Sequence, residues 1–162
     1  MKKKKIAFII AGVLLLGFAI WNILWYMHYN RYKQLRNKME SETIAGETSY
    51  VIRKDNYLFS LVMPTYLRFN GNLAADKTVP GNENSEISML GWLSIFSNDE
   101  YGIILYSNDG YSYQINMDNS GNPIFENNEE KSYIDEITNL VEENSNIISE
   151  AYSEWDSVFG LT

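Results

Sequence analysis

Apolar positions are distributed along this chain in two unlike ways. From Ile6 to Trp25 (IAFIIAGVLLLGFAIWNILW) they are continuous, with no charge and with Asn22 as the only strongly polar side chain. From Ser49 onward they come in short runs, at a period near two at first and near three to four at the end. Twenty residues at about 1.5 Å rise make a helix about 30 Å long, the thickness of a bilayer's hydrocarbon core. The continuous run therefore predicts a membrane-spanning helix, with the lipid bilayer as its first partner. Trp21, Trp25, Tyr26 and Tyr29 collect at its C-terminal end, where amphipathic rings mark the headgroup level. A cleavable signal peptide is the closest rival, since Lys2 to Lys5 precede the run and Gly17 and Ala19 have a cleavage-site spacing. Apolar character continues past Ala19 through Ile20, Trp21, Ile23, Leu24 and Trp25, which favours an uncleaved anchor. A helix buried in a soluble core would need more protein around it.

Tyr26 to Glu42 contains no Gly or Pro and is rich in helix formers, so the helix is expected to continue as a stalk. Trp25, Tyr29, Tyr32, Leu35 and Met39 make one mostly apolar stripe along it. That stripe reads either as a face lying at the lipid surface or as the seam of a homodimer. Ile44 to Thr48, with Gly46, reads as a hinge. The organisation expected is a basic head at 1–5, a signal-anchor helix at 6–29, a stalk and hinge at 30–48, and a domain at 49–162.

In the domain, Tyr50 to Lys54 and Tyr57 to Met63 are β-rich and flank the turn pair Asp55-Asn56. Pro64 interrupts, and Thr65 to Asn70 resumes extended character. Ala74 to Glu86 is polar and holds Pro80-Gly81, which predicts a loop. Ile87 to Ser97 is apolar on both faces, the mark of a strand covered on both sides. Gly91 beside Trp92 signals a bulge or a close approach. Tyr101 to Ser107 and Tyr111 to Met117 flank Asn108-Asp109-Gly110, a hairpin signal. Asp118 to Asn122 is another turn, and Pro123 to Phe125 a short strand. From Asn127 or Asn128 as cap, with Glu129 and Glu130 in the first turn, apolar residues recur at helical spacing as far as Phe159. Asn144-Ser145-Asn146 is its weak spot. The fold class expected is α+β: a transmembrane helix extended into a stalk, then an antiparallel meander of five or six strands with a C-terminal amphipathic helix on one face.

Charge sharpens this division. Residues 1–40 carry eight Lys or Arg and one Glu, and residues 41–162 carry five Lys or Arg and twenty Asp or Glu, giving +7 and −15. A domain this acidic cannot supply the charge that dominates nucleic-acid binding, so no nucleic-acid partner is expected. It is also repelled by anionic lipid and wall polymer. Both flanks of the helix are basic; the lysine head argues for a cytoplasmic N-terminus and an extracytoplasmic domain. Plentiful Asn, Ile, Lys and Tyr with no cysteine suit an exported bacterial protein.

Candidate chemistry is sparse. Without cysteine there is no thiolate site. His28 is the only histidine and sits at the membrane interface, so neither a Ser-His-Asp triad nor a histidine zinc site fits the domain. Asn116, Asp118, Ser120 and Gly121 resemble the start of a calcium loop, but Asn127 stands where a bidentate Glu is needed. Carboxylate pairs and a Ser-Lys dyad have no pattern to pick them out. No cofactor motif is present. Aromatic residues are plentiful, and Tyr66, Trp92, Tyr101, Tyr111 and Tyr113 form the candidate binding face for a protein or an envelope ligand. The leading expectation is a membrane-anchored, non-catalytic binding or accessory module of the bacterial cell envelope. The alternatives are a carboxylate-dependent hydrolase of envelope polymer and a dimeric spacer.

Overall fold

The computed structural model describes residues 2–44, 46–66, 71–78, 85–95, 99–106, 111–118, 120–126 and 129–160. One helix, α1 (Lys2–Arg36), leads into seven strands: β1 (Glu40–Ile44), β2 (Glu47–Lys54), β3 (Tyr57–Val62), β4 (Asn72–Thr78), β5 (Ser85–Trp92), β6 (Glu100–Tyr106) and β7 (Ser112–Met117). Helices α2 (Lys131–Glu143) and α3 (Ser145–Phe159) close the chain. The strands pair in chain order as one antiparallel sheet. The fold is α+β, as expected.

The sheet has seven strands where five or six were expected. One extra strand comes from the end of the presumed stalk: α1 stops at Arg36, and Glu40–Ile44 pairs with β2. The hinge glycine, Gly46, takes a φ of 84° in that tight connection, a conformation glycine adopts without penalty. The other comes from the expected loop. Ala74 to Thr78 lies in β4, paired on both sides. Ala, Asp and Lys are poor strand formers alone, but two flanking ladders and the burial of Leu73 and Ala75 override that weakness. Thr65 and Tyr66 belong to no named strand, and the rest of TYLRFN lies outside the described residues, as does the Asn108-Asp109-Gly110 turn. Pro123 makes only an isolated bridge to Met117.

The expected single C-terminal helix is two, broken at Asn144, whose side-chain amide donates to the Leu140 carbonyl at 2.8 Å. The first of them starts at Lys131, so Glu129 and Glu130 precede its first turn rather than occupy it. Asn127 and Asn128, the expected caps, lie outside the described residues.

The pleat decides which residues meet these helices. Phe59, Leu61, Leu73, Ala75, Ile87, Met89, Ile103 and Ile115 pack against Ile137, Ile148, Ala151, Trp155 and Phe159. Gly91 lies directly under Trp155, where an added Cβ would come within 2.6 Å of the indole ring. The glycine marks a close approach; the bulge sits elsewhere, between Lys77 and Thr78. Lys54 pairs with Glu154 at 2.6 Å and Lys77 with Glu150 at 2.9 Å, tying α3 to the β2–β4 side of the sheet. The alternate residues point to the other face. There Leu58, Leu90, Trp92 and Ile104 are only partly buried. The strand β5 is thus covered by the helix layer on one side, not on both as its two apolar faces suggested.

Candidate functional site at the anchor–domain junction

The upper half of α1 is built into the domain. Because the helix is continuous to Arg36, residues at three- and four-residue spacing share one face, and His28, Tyr32 and Leu35 turn that face to the end of the sheet. Tyr32 is fully buried. Its hydroxyl donates to the Gly71 carbonyl at 3.0 Å and accepts from the Leu93 amide at 3.1 Å. The Tyr32 ring also explains Gly71: a Cβ there would lie 2.5 Å from it. Burial pushes the Tyr32 phenol above its ordinary pKa, against the opposing Leu93 hydrogen bond. His28 packs edge-on to Tyr32 and is itself buried. It is therefore a buried residue of the helix–domain contact, not merely an interfacial one.

Ionic and polar contacts extend the junction in both directions. Arg31 forms a two-pronged pair with Asp99, at 2.7 and 3.1 Å, and also donates to the Ser94 carbonyl at 2.6 Å. Asp99 in turn accepts the Ser94 amide at 2.8 Å, which ties it to the chain just after β5. Lower on the helix, Tyr66 donates to Asn22 at 3.0 Å and stacks edge-on to Trp25. Asn22, the one polar side chain of the apolar run, thereby has partners for both ends of its amide, since its Nδ2 donates to the Phe18 carbonyl at 2.7 Å.

Between α1 and the β5–β6 connection lies a groove of about 450 Å³. Trp21, Leu24 and His28 form one wall, and Trp92, Leu93, Ser94, Ile95 and Glu100 the other. It shares Trp92 and Glu100 with a second cavity of about 620 Å³ at the ends of β6 and β7, lined also by Tyr101, Asn116, Met117 and Asp118.

The residues singled out in the sequence scatter. Trp21 and Tyr26 are exposed on α1, and Trp25 and Tyr29 are half-buried and stacked on each other. Tyr66 joins these four rather than a sheet face. Trp92 lies on the open face beside Gly102. Tyr101 is buried on the opposite face, edge-on to Trp155, and Tyr113 shares that face with Ile115. Tyr111 stands exposed just before β7. The five candidate aromatics thus form no single patch. The partly exposed apolar residues of the open face are Leu58, Leu90, Trp92 and Ile104 instead, and the two-sided apolar pattern of β5 was the signal for Leu90 and Trp92.

The chemical alternatives can be read from the same geometry. Lys54 lies 3.0 Å from Ser157, yet its ammonium is held by Glu154, which removes the free amine a Ser-Lys dyad needs. The Asp118 carboxylate accepts the Ser120 and Asn122 amides, each at 2.8 Å, and these hydrogen bonds hold its pKa below the usual range. It organises a turn. Among the described residues no group of three His, Asp or Glu is arranged to hold a metal ion. Lys77 holds Glu150 and Glu86, at 2.9 and 3.5 Å. Among the described residues one helix, near the N-terminus, is long and apolar enough to cross a membrane, with a mean hydropathy of 2.4. Comparison with protein-family models, with curated proteins and with solved structures finds no match.

Proposed function

We propose that this is a single-pass membrane protein whose domain stands outside the cytoplasm and acts as a non-catalytic binding or accessory module of the bacterial cell envelope. The observation that carries the reading is the burial of Tyr32 and His28 between α1 and the sheet. A helix whose lower part is apolar throughout and whose upper part belongs to the domain core holds that domain at the membrane surface in one orientation. Such a device suits presentation of a binding surface at fixed height. The partly exposed apolar residues Leu58, Leu90 and Ile104 on the sheet's outer face supply a surface of the kind partners cover.

The dimeric spacer draws less support. Its seam would use Tyr32 and Leu35, and both are buried within one chain. The hydrolase reading needs two carboxylates facing each other in a cleft, whereas Glu150, Glu154 and Asp99 each face a Lys or Arg.

Placement is testable because the chain has no cysteine of its own. Asn139→Cys puts a single thiol on the exposed face of α2, and Lys4→Cys puts one on the basic head. A membrane-impermeant maleimide should label the first variant in intact cells and the second only after lysis. The reverse pattern would place the domain in the cytoplasm and end the proposal.

A further inference from the structure

We infer that the groove between α1 and the β5–β6 connection holds one hydrocarbon chain of a bilayer phospholipid that has no net negative charge, with its headgroup at the Ser94 and Glu100 rim. The inference rests on the reading of α1 as a membrane anchor.

Depth supplies the first argument. Trp21 and Leu24 belong to the charge-free run of α1, and both line the groove. At about 1.5 Å per residue, Trp21 lies about 6 Å below Trp25, inside the hydrocarbon edge of a bilayer spanned by that run. Tyr66 reaches the same depth through Asn22, so the domain's own chain extends into this layer. A groove that opens there meets lipid tails before any other solute.

Chemistry supplies the second. A hydrocarbon chain can offer no hydrogen bonds, so the walls must not require any. The backbone groups along the wall are already used: the Leu93 amide by Tyr32 and the Ser94 carbonyl by Arg31. What remains are the indoles of Trp21 and Trp92, the aliphatic chains of Leu24, Leu93 and Ile95, and the His28 ring, which packs edge-on to Tyr32. The volume is within the range of clefts that bury small ligands, about 300–1,000 Å³. Charge then selects the headgroup. Arg31 is taken by Asp99, which leaves the exposed Glu100 as the charge at the rim. An anionic headgroup is repelled there and one bearing an ammonium is attracted.

The test uses the full chain in nanodiscs of phosphatidylcholine carrying a photoactivatable group midway along one acyl chain. After irradiation, adducts are mapped by mass spectrometry. Adducts are expected on the peptide carrying Trp92 to Ile95 as well as on α1 between Phe8 and Leu16. Leu24→Trp fills the groove from the helix side without touching the sheet core. It should lower the Trp92–Ile95 adduct by about fivefold or more relative to the α1 adducts, the change expected for roughly 1 kcal/mol of lost affinity. A phosphatidylglycerol probe should give a smaller Trp92–Ile95 adduct than phosphatidylcholine in the same ratio. Adducts on α1 alone, or a Trp92–Ile95 adduct indifferent to Leu24→Trp, would overturn the groove proposal and leave the anchor standing. Equal adducts from the two headgroups would overturn the headgroup assignment. An α1 free of adducts would instead overturn the anchor reading and the groove with it.

Discussion

The two halves of α1 share one backbone and face different surroundings. In the lower half apolar side chains are bare: Phe8 is 84% exposed and Leu14 68%. In the upper half a polar ring is hidden, with His28 at 2% and Tyr32 at 0%. Left in water, each bare Leu, Ile or Phe would forgo about 1.5–3 kcal/mol of burial. Such a row makes the helix long and apolar enough to cross a membrane. The upper half shows the converse, since a phenol can be buried at little cost only where donor and acceptor meet it. Together they teach that hydrophobicity along a helix says how much must be hidden, while polar satisfaction says against what.

The sharpest way to break this contrast is to empty the upper half. Tyr32→Ala removes a fully buried ring and strands both the Gly71 carbonyl and the Leu93 amide. A loss of about 3–5 kcal/mol is expected, read as a fall in the denaturant midpoint of the detergent-solubilised protein. Leu35→Ala, one turn higher on the buried face, should cost about 2–4 kcal/mol in the same measurement.

How far the sequence reaches follows the same division. The lower half of α1 is legible at once as a long apolar helix, because its twenty uncharged residues run without a break. Turns are legible too, since Asp55 takes a φ of 53° in the predicted Asp55-Asn56 turn, and of the two readings of Gly91, bulge or close approach, the second holds. The upper half is illegible because its partners are distant in the chain. Gly71 lies 39 residues from Tyr32 and Leu93 lies 61 away, and nothing local announces them. Strand β4 hides for a related reason, since its sequence is weak and its neighbours make it a strand. The aromatic candidates were misgrouped by type when parity separates them. Trp92 pairs with Glu100, so the next residue, Tyr101, must point to the opposite face.

A subtler change keeps the ring and removes only its hydroxyl. Tyr32→Phe should cost about 1–3 kcal/mol near neutral pH, the penalty for two buried groups left unpaired. Its pH dependence carries a sign. Burial raises the Tyr32 pKa above the ordinary value of 10.0, so the folded state holds its proton more tightly than the unfolded chain. The stabilisation is complete below that ordinary value and is lost as pH rises through the folded one. The phenolate cannot donate to Gly71. The deficit of Tyr32→Phe should therefore shrink when midpoints are compared at about pH 8 and about pH 11. Burial likewise raises Tyr57, Tyr101 and Tyr152, so both proteins weaken at the alkaline end. A deficit constant across that range would show that the fold does not raise the Tyr32 pKa.

Arg31→Ala tests the ionic clasp beside it. The pair is two-pronged, but the Arg31 side chain is 41% exposed, so solvent screening limits it. About 1 kcal/mol is expected, and the loss should diminish at high salt, as a half-exposed pair requires.

The smallest expected effect is the most discriminating. Leu15→Ala makes in the lower half the same chemical change as Leu35→Ala in the upper. Leu15 is 69% exposed and Leu35 is 9% exposed, and the two lie twenty positions apart on the same helix. If the lower half faces lipid, the side chain has the same apolar neighbours whether or not the domain is folded. Its truncation should then shift the domain's denaturant midpoint by less than about 0.5 kcal/mol, as substitutions outside packed regions do. Helix propensity does not confuse the comparison, since Leu→Ala alters it by little. A loss at Leu15 approaching that at Leu35 would mean that the lower half also packs against protein. The bare face of α1 would then be a contact surface for another chain, and the division of the helix into a lipid half and a protein half would fail.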